Sequence, residues 1–564
     1  MNRLRHLLLL ALLLATTPAR SGGGPLNTLV VVNRSSRNSR ALGAYYAEKH
    51  GLPPSHICSI KTNPRAHSIT RGFFESEIRA PILAHIAREK LDGQIHYVVF
   101  SLDIPTRVDN FNGITGALFY GFKPATPKAP RCHIAADSVN QYYGAEIAYT
   151  STAGWNQTNA PIPFVLTAEN LKIAKQVVDR AAAANAKPPV GLFCMHGTSN
   201  NERNIRHFLG PALSRQFALM GWSDRLTVLP PGSEPPAEPL VGYITGRSSL
   251  PTQFVELVMA PGAIADHLTS CAGILPDACV GQSTVWEWMR LGATASYGTV
   301  SEPCNFREKF PDPLLFFWYA RGFTAGEALA MSVRNPYQGI WVGDPLAAPF
   351  AKPPAIDILE PGRHATLSGE TLLKLRLGTH ENGVPPVFAD LYLDGRHHAP
   401  IARPFSPVGN HVSAQIGTNR FTYVVAPGED LFAAVAGLAW AINVEGGGRV
   451  TAQAHSDRLE VTVRQPLDSD GEPLEFAVTT GQGFGKGLYI EGAAGTGHLV
   501  VEDQVGRGMA LFHLGSVRSY DLEYTVDLSH LPPGPHSLTV VARDGTAVQA
   551  QSQATLPFHI VTVP

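Results

Sequence analysis

Cys271, in the run Thr269-Ser270-Cys271-Ala272-Gly273, is the side chain with the strongest claim to covalent chemistry. A nucleophilic cysteine needs a base that lowers its pKa and backbone N–H groups that receive an oxyanion. Cys271 would be the nucleophile, and the amides of Cys271, Ala272 and Gly273 the oxyanion donors. Two histidines are candidate bases. His196, followed by Gly197, closes the apolar run Gly191–Met195, and His267 lies just before Cys271. In an extended chain 267 and 271 share a face but stand roughly 13 Å apart. His196 is therefore the better placed base. The competing reading is a packed or disulfide-bonded Cys271 with solvated loop histidines, because buried structural cysteines outnumber reactive ones.

Asp266 and His267 together suggest a metal site, but no HExxH or cysteine-pair spacing accompanies them, so they read as an ordinary strand-end pair. No metal and no cofactor is expected. Asp103 and Arg107 could orient a substrate carboxylate or form a salt bridge, and Glu302, Lys309 and Asp344 are equally open. VVNRSS stands where a dinucleotide enzyme would carry GxGxxG.

The elements that must position these residues alternate. Leu26–Val32, His56–Lys61 and Ile95–Leu102 read as strands, separated by helices at Ser39–Lys49 and Phe73–Lys90. Asp103 to Tyr143 is a Gly-, Pro- and Asn-rich excursion of the kind that covers a site. A helix at Ala168–Ala184, a strand at Val190–Met195, a helix near Ile205–Met220 and strands at Leu226–Leu229 and Leu240–Thr245 follow. The stretch 261–304 then reads as strand (Ala263–Leu268), Cys271 loop, helix and strand (Ala293–Val300). Thr284 and Glu287 have the spacing of a capping box for that helix. Phe316–Arg334 reads as a further helix. The pattern predicts a doubly wound α/β sheet, with chemistry in the loops beyond the carboxyl ends of its strands.

At 564 residues the chain is too long for one core. The α/β unit spans 25–351 and ends in a Pro-rich linker. Beyond it, short strands split by Pro-Gly and Asp-Gly turns predict an immunoglobulin-like β-sandwich in two halves, 355–405 and 519–562. An α+β module, 406–518, interrupts it. The formal charge is −1 and charged residues make up 16%, with no basic run, so no nucleic-acid partner is expected. Residues 1–21 carry Arg3 and Arg5, an apolar run Leu7–Ala15 and small residues near Ala19, which predicts a signal peptide, export and no stable membrane span after its removal. Export permits disulfides among the six cysteines. Spacing does not decide whether Cys271 is free or captured by Cys279 or Cys304.

On VVVNRSSRNSRALGAYYAEKHGLP, GAIADHLTSCAGIL, GATASYGTVSEPCNFREKFPDP and VGDPLAAPFA, residues 25–351 resemble an uncharacterised family of exported bacterial proteins associated with exosortase-type sorting systems. That family implies no activity. More distantly, the strand leading into Cys271 is similar to that of gingipain-type, caspase-like cysteine peptidases, which implies a caspase-like sheet. In that pattern the preceding strand ends in the catalytic histidine, where this chain has Arg247. Two functions follow. One is a non-catalytic secreted or periplasmic protein that binds a peptide or a cell-surface protein. The other is a cysteine peptidase or acyl hydrolase using Cys271 with His196 or His267. Oligomeric state is not encoded in any of these features.

Overall fold

A computed structural model describes residues 22–124, 132, 134, 140–150, 160–250, 256–380, 383–404, 407–464, 475–481, 490–493, 500–502, 505–515 and 517–561. The signal-peptide expectation at 1–21 and parts of the Asp103–Tyr143 excursion lie outside the described residues. Among the described residues no helix is long and apolar enough to cross a membrane.

A ten-stranded sheet carries the first unit. Its strands are β1 (Thr28–Asn33), β2 (Ile57–Ile60), β3 (Tyr97–Phe100), β4 (Ile162–Val165), β5 (Leu192–His196), β6 (Leu226–Leu229), β7 (Leu240–Thr245), β8 (Met259–His267), β9 (Ala295–Thr299) and β10 (Gly339–Gly343). They lie in the order β2-β1-β3-β4-β10-β9-β8-β7-β5-β6. Pairing is parallel through β2-β1-β3-β4 and through β9-β8-β7-β5-β6. β10 runs antiparallel to β9 and meets β4 through Val342 beside Val165. The sheet of this α/β unit is thus mixed, parallel on both flanks with the antiparallel β9–β10 pair at its centre. β1 and β3 are buried along their whole length, which is why they read as unbroken apolar runs.

Three local expectations change. The strands Ile162–Val165 and Gly339–Gly343 carry no long apolar run: Pro161 and Pro163 punctuate the first, and glycines bound the second. The Thr284 capping box does not form, because Glu287 turns instead to Arg290 at 2.6 Å in the short helix Trp286–Leu291. The helix expected over Phe316–Arg334 is two, Leu315–Ala320 and Ala325–Ser332. They break at Gly322, whose φ of +107° is left-handed, and the second restarts on a Thr324–Glu327 capping box.

Beyond Pro354 the named strands pair antiparallel, save Thr366–Leu367, which runs parallel to Gln551–Ile560. Ala355–Glu360, Glu370–Gly378 and Ser519–Asp527 form one sheet; Thr366–Leu367, Gln551–Ile560, Gly534–Asp544, Pro386–Leu393 and Arg396–Ala402 form another. Leu373, Leu375 and Leu377 of the first pack with Leu391, Val540 and Phe558 of the second in one apolar core. Between these segments, the helix Leu431–Glu445 covers further antiparallel strands around Val412, Val435, Leu438 and Phe512, a separate core.

Buried ion pairs join the parts. Glu146 of the first unit holds Arg458 at 2.7 Å, and Arg321 holds Asp457 at 2.6 Å, so the inserted module is clamped to the α/β unit. The two arginines pull Glu146 down to about 2 against the cost of its burial. The sandwich is tied in by Ala148 N–H to Ala547 O, 2.7 Å, and Gln94 Nε2 to Gly395 O, 2.7 Å.

Candidate functional site

Pairing in register places His196, Thr245 and His267 side by side at the carboxyl ends of β5, β7 and β8. The loop carrying Cys271 leaves β8 immediately beyond. The expected neighbourhood of one cysteine and two histidines is therefore real as backbone placement. Its side chains are engaged elsewhere.

Cys271 is disulfide-bonded to Cys279. A bonded sulfur has no thiolate to offer, so in this form Cys271 is not the nucleophile. Two of the three oxyanion donors are spent as well. Cys271 N–H donates to Gln282 Oε1 at 2.9 Å, and Gly273 N–H donates to Thr299 O at 2.9 Å, tying the loop to β9. Thr269 Oγ1 donates to the same Gln282 oxygen at 2.7 Å. Three small residues chosen for close approach do approach closely, but to the protein's own strand: a Cβ on Gly273 would lie 2.5 Å from Gly298 O.

Neither histidine is poised as a base. His267 Nδ1 accepts from Trp288 Nε1 at 2.9 Å and Nε2 donates to Ser283 O at 3.1 Å, which fixes a neutral ring. Burial lowers its pKa to about 4. His196 Nδ1 lies 2.6 Å from the Tyr243 hydroxyl, and burial, then the Arg247 charge, lower its pKa. Period-2 alternation sends Asp266 to the other face of β8, where Arg206 meets its carboxylate at 2.6 Å. Burial raises the Asp266 pKa and Arg206 opposes the shift. Arg206 also donates to Pro311 O and Thr245 O, so one guanidinium pins three segments. No cluster of three metal-ligating side chains occurs among the described residues.

The remaining candidates are dispersed. Asp103, at φ +58°, accepts through Oδ2 from Ser36 Oγ, which also caps the helix Arg37–His50, and no ion pair joins it to Arg107. Glu302 accepts from Cys304 N–H at 2.7 Å, and Asp344 is bonded to His50 at 2.6 Å in the interior. Lys309 donates to Pro303 O at 2.7 Å; burial, reinforced by the Lys123 charge, lowers its pKa to about 7. Cys132 pairs with Cys304, and Cys58 and Cys194 are free but buried, their thiols pushed up to about 12. Such thiols are inert.

Among the described residues, a cavity of ≈ 10 Å³ lies at the edge itself beside His196, Arg206 and Thr245, and two more lie elsewhere. One, of ≈ 130 Å³, lies where the loops beyond β1, β3, β4 and β8 meet, between Asp103, Thr167, Leu275 and Trp286. The other, of ≈ 370 Å³, lies between the α/β unit and the sandwich, lined among others by His96, Asp390, Arg403, Arg543 and Gln551. The second escapes sequence inspection because its walls come from segments hundreds of positions apart. The sole local signal is Asp390, a carboxylate inside the apolar run of FADLYL.

No family model matches the chain, and no curated protein matches it. Among solved structures, it is similar to the fibronectin(III)-like modules of Clostridium thermocellum CbhA at 11% identity, over 36% of this chain and 94% of that one. The TM-score is 0.07, and the likeness carries no structural argument.

Proposed function

We propose that this chain is an exported, non-catalytic protein whose caspase-like α/β unit has been converted to a binding scaffold, and whose immunoglobulin-like sandwich presents it to a peptide or cell-surface protein at a bacterial envelope. The observation that carries this reading is the Cys271–Cys279 bond, with the amides of Cys271 and Gly273, both ring nitrogens of His267 and Nδ1 of His196 committed to interior partners. Two disulfides fit an oxidising compartment. Arg247, where the peptidase pattern has its histidine, agrees with lost catalysis.

The second reading, a cysteine peptidase or acyl hydrolase with Cys271 as nucleophile, is favoured by the position of Cys271 at the carboxyl end of β8. It requires reduction of the bond to Cys279. Thiol-reactive peptide electrophiles applied before and after mild reduction separate the two. Non-catalytic protein is unlabelled before reduction, and afterwards Cys271→Ala and Cys279→Ala retain comparable slow labelling at the remaining thiol. Rapid, peptide-dependent labelling lost in Cys271→Ala alone would overturn the binding reading.

A further inference from the structure

The cleft between the α/β unit and the sandwich has more donors than acceptors. At its floor is Asp390, 4% exposed. Its Oδ1 accepts from Arg403 Nη2 at 2.6 Å and faces His397 Nε2 at 3.2 Å, while Oδ2 accepts from Arg543 Nη2 at 2.7 Å. One carboxylate thus gathers two guanidiniums and an imidazole, and holds its own pKa far below the ordinary range despite burial. Arg543 commits its other terminal nitrogen to Gln549 Oε1 at 2.8 Å. The further acid on the wall, Asp92, is exposed at the rim.

Two more polar atoms lining this cleft lack what the arginines have. Gln551, 5% exposed, has an Nε2 amide with no hydrogen-bond partner among the described residues, and His96 Nδ1 has none either. A buried donor without an acceptor costs on the order of 1–3 kcal/mol, so a fold retains one where something else supplies the acceptor. The wall is also built from two separately cored units, the setting in which ligand sites concentrate.

We propose that this interdomain cleft binds an oxyanion, a carboxylate or phosphate group carried by a small ligand or a partner, against the Gln551 amide and the Arg403 and Arg543 guanidiniums. Planar guanidiniums suit two-oxygen recognition, and the amide adds direction to charge. This goes beyond the binding reading above and stands whether or not Cys271 reacts.

The test is calorimetric titration of the full chain with inorganic phosphate and, separately, succinate, at ionic strength matched with chloride. Saturable heat with either ligand is expected, and phosphate alone or succinate alone identifies the group. Arg403→Gln, at an exposed side chain, and Gln551→Leu should each weaken binding about tenfold, the loss of one good hydrogen bond. Gln551→Leu should leave the thermal midpoint unchanged or raised, a combination that a merely structural glutamine would not give. Arg376→Gln, on the outer face of the sandwich, should bind as the parent does. No saturable heat with either anion, or parental affinity in both cleft variants, overturns the proposal.

Discussion

The carboxyl edge around Cys271 and the cleft floored by Asp390 are opposites. At the first, the sulfur of Cys271, both ring nitrogens of His267 and the amides of Cys271 and Gly273 have interior partners, while His196 Nε2 and Thr245 Oγ1 have none among the described residues. At the second, unremarkable residue types leave the Gln551 amide nitrogen and one ring nitrogen of His96 without partners among the described residues. What separates the two regions is charge: Arg206 meets a carboxylate of its own at Asp266, whereas Arg403 and Arg543 share the one carboxylate of Asp390.

The comparison can be broken or sharpened by substitution. The largest effect is expected at the locked edge, where Arg206→Met strands the buried Asp266 carboxylate and should cost about 3–5 kcal/mol in denaturant unfolding. Arg206→Met with Asp266→Leu should recover most of that; a single-variant loss under about 1 kcal/mol would mean the edge is not locked.

Next comes acid. His267 has a folded pKa of about 4 against an ordinary value near 6.5, so the unfolded chain takes up its proton first as pH falls. Its contribution is fully present above about pH 6.5 and is lost as pH falls through about 4, up to roughly 3 kcal/mol. Thermal midpoints followed from pH 7 to pH 4.5 should drop less steeply in His267→Gln; identical slopes would mean the imidazole is not held neutral.

Removing the short loop closure with Cys271→Ser and Cys279→Ser should cost about 2.5 kcal/mol by chain entropy, read from the same unfolding curves. Trp288→Phe removes the indole donor to His267 and should cost about 1.5 kcal/mol. At the bottom of the scale, Gln551→Leu in the cleft should cost nothing measurable. A loss there comparable to that of Trp288→Phe would erase the contrast between the two regions.

Much of the scaffold was legible because its strands are buried on both faces and its helices begin on local signals. Val30–Val32 and Val98–Phe100 announce themselves, and the helix Arg37–His50 starts at the Ser36 cap. The strand Gly339–Gly343 was not legible, since glycine-bounded Ile340, Trp341 and Val342 have no periodicity of their own and are strand only by pairing with β9. At the edge, residue spacing brought Cys271 and the histidines near each other but could not choose a disulfide partner or see Trp288 and Ser283 fill the His267 ring. The cleft was invisible because residues near 96, 390, 403, 543 and 551 meet only after the units dock.

The split sandwich has a consequence for how the molecule is made. Glu370–Gly378 finds its neighbour Ser519–Asp527, and Pro386–Leu393 finds Gly534–Asp544, only after the whole intervening module has emerged from the ribosome. Until then Leu373, Leu375 and Leu391 present apolar, unpaired β edges, the kind of surface that sticks to other nascent copies. Synthesis therefore passes through an interval in which those strand edges are open to mispairing, and a chain cut short before 519 would leave them without these partners.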